Sequence, residues 1–313
     1  MTTIQPVCAI RDYLLALPEA AEWPALVEVF EISQQKPRLD WALPLLACES
    51  VGGQPVRALP AAAAIACMQI SIILVDDMLD DDPRGQHNRI GAGAAANLAL
   101  AYQAAALRIL LQAEADDQTR TALAQELGRM GHATALGQHW DTQNVSDEAH
   151  YWRVVEAKST PFYGAAFYLG ALCGQATPST ARALRQFGVL LGEMIQIQDD
   201  LIDAFQVPAN PDWRPGRNNL LLLYAYTVNH AGQARFRQLR PQANDVECLQ
   251  EAQNILVRCG AVSYAAYQLM ARYETGRQIV TELNLKAPEK LAGLLSAQIR
   301  PMKELLQDFD IEL

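Results

Sequence analysis

The chain has 313 residues, 50% hydrophobic and 19% charged, a composition that excludes a disordered tail, a collagen-like fibre and a small disulfide-stapled scaffold. Its 25 Lys and Arg against 35 Asp and Glu give a net charge of −10, the wrong sign for coating a nucleic acid or an anionic membrane. We therefore expect a globular protein that meets any anionic ligand through metal ions or a local basic cluster.

Long stretches without proline, rich in Ala, Leu, Gln, Glu and Arg, predict an all-α protein. Runs of alternating β-branched residues with Asn-Gly or Asp-Gly turns, the usual signs of strands and hairpins, are missing. In chain order, the predicted helices cover 20–33, 39–51, 60–80, 91–113, 117–139, 147–174, 179–205, 217–230, 245–259, 262–284 and 287–308. Because no Ser/Gly-rich linker and no repeat of solenoid length divides the chain, we predict a single large helical bundle over 1–313.

The N-terminal segment has no basic region followed by an apolar run, so it does not resemble a signal peptide. Six widely separated cysteines lack a C-x-x-C pair and a zinc-ligand spacing, which favours a reducing, cytoplasmic location. The most apolar segment, 58–75, contains Pro60 and Gln69 and continues into an acidic cluster. We interpret it as a buried helix and expect no membrane span.

The predicted helix 60–80 ends in the acidic run Asp-Asp-Met-Leu-Asp-Asp-Asp, which begins at Asp76 and is followed by Pro83. In a helix Asp76 and Asp80 share one face, and Asp77 lies about 100° around the axis. These charges repel one another and the negative end of the helix dipole, so a bound cation would stabilise them. Taken alone, the run fits a solvated helix end equally well.

A second D-D-x-x-D spacing, formed by Asp199, Asp200 and Asp203, ends the predicted helix 179–205. If the two helices face each other, six carboxylates line one cavity mouth, where Mg²⁺ can neutralise them and coordinate phosphate oxygens. The pair of motifs therefore predicts a diphosphate site. Apolar helices below it would hold a hydrocarbon chain and shelter a carbocation from water.

These motifs resemble those of the trans-prenyl diphosphate synthases, the all-α class I isoprenoid synthases, and the resemblance extends over most of the chain. Both aspartate motifs match. Further matches are, in chain order, Gln138 and Asp141 in GQHWD, Tyr151, Lys158 with Ser159, Gln196 before the second aspartate motif, and Asp212 to Asn219, where Arg217 replaces a lysine and Asn219 a threonine. Together the matches are more specific than either acidic motif alone.

The resemblance implies a helical bundle with a central apolar cavity and a role for each matched residue. The ligands expected for Mg²⁺, as three ions with a bound diphosphate, are Asp76, Asp77, Asp80, Asp199, Asp200 and Asp203. The residues expected to bind the leaving diphosphate are Lys158, Arg217 and Arg84, assisted by Gln196 and Gln69.

The chain departs from the family upstream of the first motif. Family members carry G-G-K-R-x-R-P, whose lysine and last arginine bind isopentenyl diphosphate, but here Pro37 and Asp40 stand at those two positions. Lys36 and Arg38 remain as possible substitutes, and Gln69 matches the His or Gln of the same site. Each missing charge-assisted hydrogen bond weakens binding by about 1.5–3 kcal/mol. The resemblance thus implies a complete metal and allylic side and a weakened site for isopentenyl diphosphate.

The expected activity is that of a Mg²⁺-dependent prenyltransferase, which resemblance suggests to be a homodimer. It would ionise an allylic prenyl diphosphate and transfer the prenyl group to isopentenyl diphosphate or another acceptor. Ser71 and Ile72 stand where bulky aromatics can floor the hydrocarbon tunnel, which favours a chain of farnesyl length or longer. Two alternatives stay open, a terpene cyclase or diphosphate lyase on the same fold and a noncatalytic subunit of a heteromeric prenyl synthase.

Overall fold

The computed structural model describes residues 6–35, 39–143, 147–214, 216–217 and 219–308. Within these ranges the chain forms α-helices joined by turns and short 3-10 helices, without a strand. The all-α prediction is therefore confirmed.

The α-helices are numbered here in chain order. The first eight are α1 (Pro6–Leu15), α2 (Pro18–Glu22), α3 (Pro24–Gln34), α4 (Leu43–Ser50), α5 (Leu59–Leu79), α6 (His87–Ile90), α7 (Ala92–Leu110) and α8 (Asp117–Asp141). The others are α9 (Glu148–Lys158), α10 (Thr160–Cys173), α11 (Pro178–Phe205), α12 (Leu220–Thr227), α13 (Gln233–Leu239), α14 (Val246–Arg258), α15 (Ala261–Glu282) and α16 (Pro288–Asp308). The 3-10 helices are Leu39–Ala42, Pro55–Ala58, Pro211–Trp213 and Arg240–Gln242.

Prolines explain where the structure divides two predicted helices. The predicted helix 20–33 is two helices, because α2 ends before Trp23 and Pro24 begins α3. The predicted helix 147–174 is α9 and α10, and Pro161 lies in the first turn of α10, where its missing amide hydrogen costs no hydrogen bond. The short helices α1, α6 and α13 were not among the predicted elements, since they are too brief for a clear periodic pattern.

The structure divides into two compact units whose segments alternate along the chain. The first comprises Met1–Thr134, Phe162–Gly188 and Thr281–Leu291, and the second comprises Ala135–Pro161, Val189–Val280 and Ala292–Leu313. The first aspartate motif belongs to the first unit and the second motif to the second unit. The single domain over 1–313, the central apolar cavity and the facing of the two motifs all stay predictions.

Helix α5 is the central element of the first unit. Pro60 lies in its first turn, and every residue from Ala61 to Cys67 is buried. The small alanines allow α7 to pack along α5. By length and composition Pro55–Leu79 could cross a bilayer, but 78% of its apolar window is buried inside the structure, as in a core helix. This packing fixes the position of the C-terminal end of α5, which carries the first aspartate motif.

Candidate active site

The second aspartate motif lies in the last two turns of α11. Its helix face points Met194, Ile197 and Leu201 into the core, while Asp199 is exposed and Asp203 is half-buried. Desolvation by the surrounding protein raises the pKa of Asp199 to about 6. The pKa of Asp203 is raised first by desolvation and then by the negative charge of Asp199. Among the described side chains, no basic group offsets either shift, so a divalent cation would relieve the repulsion.

Asp200 sits between these two aspartates in sequence but points into the protein, where only 1% of it is exposed. Its carboxylate accepts hydrogen bonds from Tyr151 Oη at 2.7 Å, Gln196 Nε2 at 2.8 Å and the Leu220 amide at 2.7 Å. Burial raises the pKa of Asp200 to about 8 although these three donors act in the opposite direction. In this arrangement both carboxylate oxygens serve to fix neighbouring elements, so the metal-ligand role of Asp200 stays a prediction.

Asn219 connects this carboxylate to the next loop. It is fully buried, and its Oδ1 caps α12 by accepting hydrogen bonds from the amides of Leu221 and Leu222. Its Nδ2 donates to the backbone oxygen of Asp200 at 2.8 Å and to Asp212 Oδ2 at 3.2 Å. A threonine hydroxyl, which the family has here by resemblance, carries one donor and could not make both of these bonds. The carboxamide therefore ties α11, α12 and the loop together.

Arg240 holds the loop that carries Arg217. It is buried, and its guanidinium donates to the backbone oxygens of Asp212, Trp213, Arg214 and Arg217 at 3.1–3.4 Å. Burial also raises the pKa of Asp212 to about 6, an effect that the nearby Arg217 charge reduces. The loop is thus fixed by a charged side chain that the predicted site did not include.

Lys158 ends α9 and is tied to α8. Its Nζ donates to Asp141 Oδ2 at 2.6 Å, and both side chains are mostly buried. The two helices approach closely at Gly137, where an added Cβ would lie 2.2 Å from the Lys158 backbone nitrogen. The adjoining Ser159 donates from Oγ to Gln196 Oε1 at 2.8 Å. Lys158, Gln196 and Asp200 therefore belong to one connected group of the second unit.

The first aspartate motif ends α5 in the first unit, with Asp80 as the C-terminal cap residue. Desolvation and the charges of Asp82 and Asp76 raise the pKa of Asp77. Arg84 is 86% exposed and makes two side-chain hydrogen bonds to Asp82, which hold the pKa of Asp82 down at about 2. Exposed ion pairs are worth at most about 1 kcal/mol, so a diphosphate could displace this one.

Gln69 lies two helical turns before Asp76 on α5. Its Oε1 accepts a hydrogen bond from Trp41 Nε1 at 2.5 Å, and its Nε2 donates to Asp40 Oδ2. The structure thus brings together Gln69 and Asp40, two residues that the comparison with the family motif assigned to one site. The other two substrate-binding candidates of that segment, Lys36 and Arg38, lie outside the described residues.

The donor set fits Mg²⁺ although, among the residues that the structure describes, no three His, Cys, Asp or Glu side chains converge as a preformed metal site. Mg²⁺ prefers hard oxygen ligands and is usually held by one or two carboxylates together with substrate phosphates. Asp199 and Asp203 on one helix end supply such a carboxylate pair, and the repulsion that Asp199 exerts on Asp203 is what a cation would balance.

Sequence reasoning missed three features of this group of residues. Asn219 was noted only as a departure from threonine, and its two donor bonds depend on where the chain folds back. Gly137 belongs to the GQHWD motif, but the motif does not show its close contact with Lys158. Arg240 carries no sequence signal. In both cases the contacts join segments that are distant in the chain.

Comparisons with known proteins identify the family and the fold. A family model described as polyprenyl synthetase matches residues 41–256. A geranylgeranyl diphosphate synthase of Methanosarcina mazei is 25% identical over 268 residues, which cover 81% of this chain and 81% of that protein. A geranylgeranyl pyrophosphate synthetase structure from Pyrococcus horikoshii matches with a TM-score of 0.83 at 20% identity, covering 93% of this chain and 95% of that one. A polyprenyl synthase from Caulobacter crescentus, solved with calcium and isoprenyl diphosphate, matches with a TM-score of 0.78 at 20% identity, covering 94% and 93%.

Proposed function

This chain belongs to the polyprenyl synthetase family, and on that premise we propose that it is a Mg²⁺-dependent prenyltransferase that ionises an allylic prenyl diphosphate of farnesyl length or longer. The observation that carries the proposal is the end of α11, where Asp199 and Asp203 present uncompensated carboxylates. Buried Asp200 anchors this helix end through three hydrogen bonds, so that the two carboxylates keep their positions.

The residues proposed to hold Mg²⁺, three ions with a bound diphosphate, are Asp76, Asp77 and Asp80 in the first motif and Asp199, Asp200 and Asp203 in the second. Bound Mg²⁺ would polarise the diphosphate and stabilise it as a leaving group. Asp200 also keeps Asp199 and Asp203 in place, and it would exchange one of its three hydrogen bonds to reach a metal ion.

Three cationic side chains are proposed to bind the leaving diphosphate. Lys158 is positioned by its ion pair with Asp141. Arg217 is positioned by the hydrogen bond that Arg240 donates to its backbone oxygen. Arg84 reaches the diphosphate by exchanging its exposed contact with Asp82. Gln196 and Gln69 assist as amide groups. No strong general base is needed, because the released diphosphate can take up the final proton.

We also propose that the chain forms a homodimer through α7. Leu100, Leu107 and Leu111 are all exposed and lie along one face of this helix and its end. A row of exposed leucines at helical spacing is typical of a contact surface. Light scattering coupled to gel filtration would give the mass of a dimer for the wild type and of a monomer for Leu100→Glu.

The test uses the purified chain alone with Mg²⁺ and farnesyl or geranylgeranyl diphosphate. We expect release of inorganic diphosphate that stops in EDTA and returns with Mg²⁺. Release by the isolated chain excludes the noncatalytic-subunit alternative, and mass spectrometry of the organic product separates prenyl transfer from cyclisation. Absence of release with every allylic diphosphate tested would contradict the proposal.

A further inference from the structure

Arg272 on α15 joins three helices of the second unit. Its Nε donates a hydrogen bond to Glu193 Oε2 on α11 at 2.8 Å, and its Nη1 donates to Gln268 Oε1 one turn earlier on α15. The guanidinium carbon lies over the ring of Trp152 on α9, 4.0 Å from the ring centroid. Only 17% of the Arg272 side chain and 11% of the Glu193 side chain are exposed. These four side chains are called here the Arg272 group.

The contacts of the group require an arginine. A guanidinium can donate from several nitrogen atoms while its carbon lies over an aromatic ring, whereas a lysine ammonium is a compact charge on a flexible chain. Burial raises the pKa of Glu193, and the charge and hydrogen bond of Arg272 counteract that rise. Without Arg272, Glu193 would lose a cation that compensates for its burial.

Hydrogen bonds fix the ring of Trp152 in the first half of α9. Its indole nitrogen donates to Glu148 Oε1 at 3.0 Å, and the Tyr264 hydroxyl donates to the same oxygen. Gln268 Nε2 donates to the Tyr264 hydroxyl at 2.6 Å, so the same amide contacts both Tyr264 and Arg272. The ring is therefore held at its edge by Glu148 and over its face by Arg272.

This group lies close to candidate site residues on both α9 and α11. On α11, Glu193 is three residues before Gln196 and seven before Asp200, a spacing that places all three side chains on one face of the helix. On α9, Trp152 follows Tyr151, and their rings meet edge to face with centroids 4.8 Å apart. The group therefore contacts each helix within two turns of its site residues.

The orientation of α9 against α11 determines where Lys158, the last residue of α9, lies. The hydrogen bonds of Tyr151 and Ser159 described above join α9 directly to α11. Two contacts still allow rotation about the line that joins them. Arg272 adds a third connection from α15, because it contacts α9 through the tryptophan ring and α11 through its ion pair.

We propose that Arg272 is a positioning residue, which holds α9 against α11 so that Lys158 meets the diphosphate bound at the second aspartate motif. This rests on the proposed function, in which Lys158 binds that diphosphate. In this role Arg272 acts through Lys158 and needs no contact with the substrate. The affinity for a diphosphate with Mg²⁺ then depends on Arg272, because a charge-assisted hydrogen bond requires its donor in place.

The experiment measures binding of inorganic diphosphate in the presence of Mg²⁺ by calorimetry. Arg272→Lys should weaken this binding by about tenfold, the effect of losing one charge-assisted hydrogen bond. The matched control is Arg277→Lys on the same helix. The Arg277 side chain is 57% exposed in an ion pair with Glu274, so this variant should bind as the wild type does. Trp152→Phe keeps a ring but loses the indole donor, and should weaken binding by less than Arg272→Lys does.

A double-mutant cycle with Lys158→Met separates positioning from stability. If Arg272 acts through Lys158, Arg272→Lys should leave the diphosphate affinity of Lys158→Met unchanged, although it lowers the urea midpoint in both backgrounds. Equal losses of affinity in the two backgrounds, or wild-type affinity in Arg272→Lys, would overturn the inference. Should Arg272→Lys fail to fold, the same cycle is run with Trp152→Phe and read by the same outcomes.

Turnover of allylic diphosphates separates this inference from the proposed function. Diphosphate binding that follows the expected cycle, without diphosphate release from any allylic substrate, would contradict the proposed function and uphold the role of Arg272. Diphosphate release by the wild type, together with equal losses of affinity in the cycle, would overturn the role of Arg272 alone. A wild type that binds no inorganic diphosphate with Mg²⁺ would overturn both.

Discussion

The region around Asp200 and the region around Gln69 surround a carboxylate in opposite ways. Asp200 is buried and receives three hydrogen bonds from the protein, so its carboxyl group is used to hold the second unit together. Asp40 is half-exposed and receives a hydrogen bond from Gln69, whose amide is fixed by Trp41. The comparison teaches that a buried carboxyl group saturated by donors organises a site, whereas one left partly open keeps acceptor oxygens for a further donor.

The largest effect is expected from removing a carboxylate at the end of α11 or α5. Asp199→Asn or Asp76→Asn removes an assigned metal ligand used in leaving-group departure, so diphosphate release should fall by about 100-fold or more. The matched control is Asp81→Asn, since Asp81 is 98% exposed and has a left-handed φ of 52° that asparagine tolerates. Wild-type rates for both ligand variants in a steady-state assay would show that the assigned chemistry is wrong.

A clash at the α8–α9 contact should also be severe. In Gly137→Ala the new Cβ would lie 2.2 Å from the Lys158 backbone nitrogen, and backbone atoms cannot move aside cheaply. We expect a loss of about 2–4 kcal/mol in the free energy of unfolding and a raised KM for the allylic diphosphate. Gly128→Ala on the same helix has open space around it and should be neutral or stabilising by up to about 1 kcal/mol. Equal urea midpoints for the two variants would refute the role given to Gly137.

Two substitutions remove different parts of the hydrogen bonding of the buried Asn219 side chain. Asn219→Ala loses the helix cap and the hydrogen bonds to the Asp200 backbone oxygen and to Asp212, which should cost about 2–3 kcal/mol. Asn219→Thr keeps the cap and should cost about 1 kcal/mol. Thermal unfolding would rank the variants, and kcat should fall in the same order because the loop carrying Arg217 loosens. An alanine variant as active and stable as the threonine variant would contradict this ranking.

The smallest change tests a single donor to Asp200. Tyr151→Phe removes one of three hydrogen bonds to a buried carboxyl group, so the free energy of unfolding should fall by about 1–2 kcal/mol. The contact between the aromatic ring at position 151 and the ring of Trp152 can remain, because it does not involve the hydroxyl group. Tyr267→Phe, at an exposed position, is the control and should unfold as the wild type does in urea. An unchanged midpoint for Tyr151→Phe would mean that Asp200 does not depend on this donor.

The fold was largely predictable because its helices coincide with long proline-free stretches rich in helix-forming residues, and α5, α8 and α11 lie within two residues of their predicted bounds at each end. The two aspartate motifs were singled out from their spacing and Lys158 from the family resemblance, and their roles stay predictions. What could not be predicted is how neighbours within one motif differ. Asp199 and Asp200 are identical in sequence, yet one is exposed and the other is buried beneath Tyr151, because burial depends on which helices pack against α11.

Long-range contacts set a second limit to prediction. The hold of Arg240 on the loop of Arg217 joins residues 23 positions apart, and the bond between Gln69 and Asp40 spans 29. The substitution of a family arginine by Asp40 was visible in the sequence. Its consequence, a Gln69 amide whose nitrogen donates to Asp40, needed the position of Trp41.

A crystal structure with Mg²⁺, farnesyl thiolodiphosphate and isopentenyl diphosphate would test the account most directly. The account predicts metal ions and the thiolodiphosphate at Asp199 and Lys158. Metal ions that avoid Asp199, or a thiolodiphosphate bound away from Lys158, would contradict it.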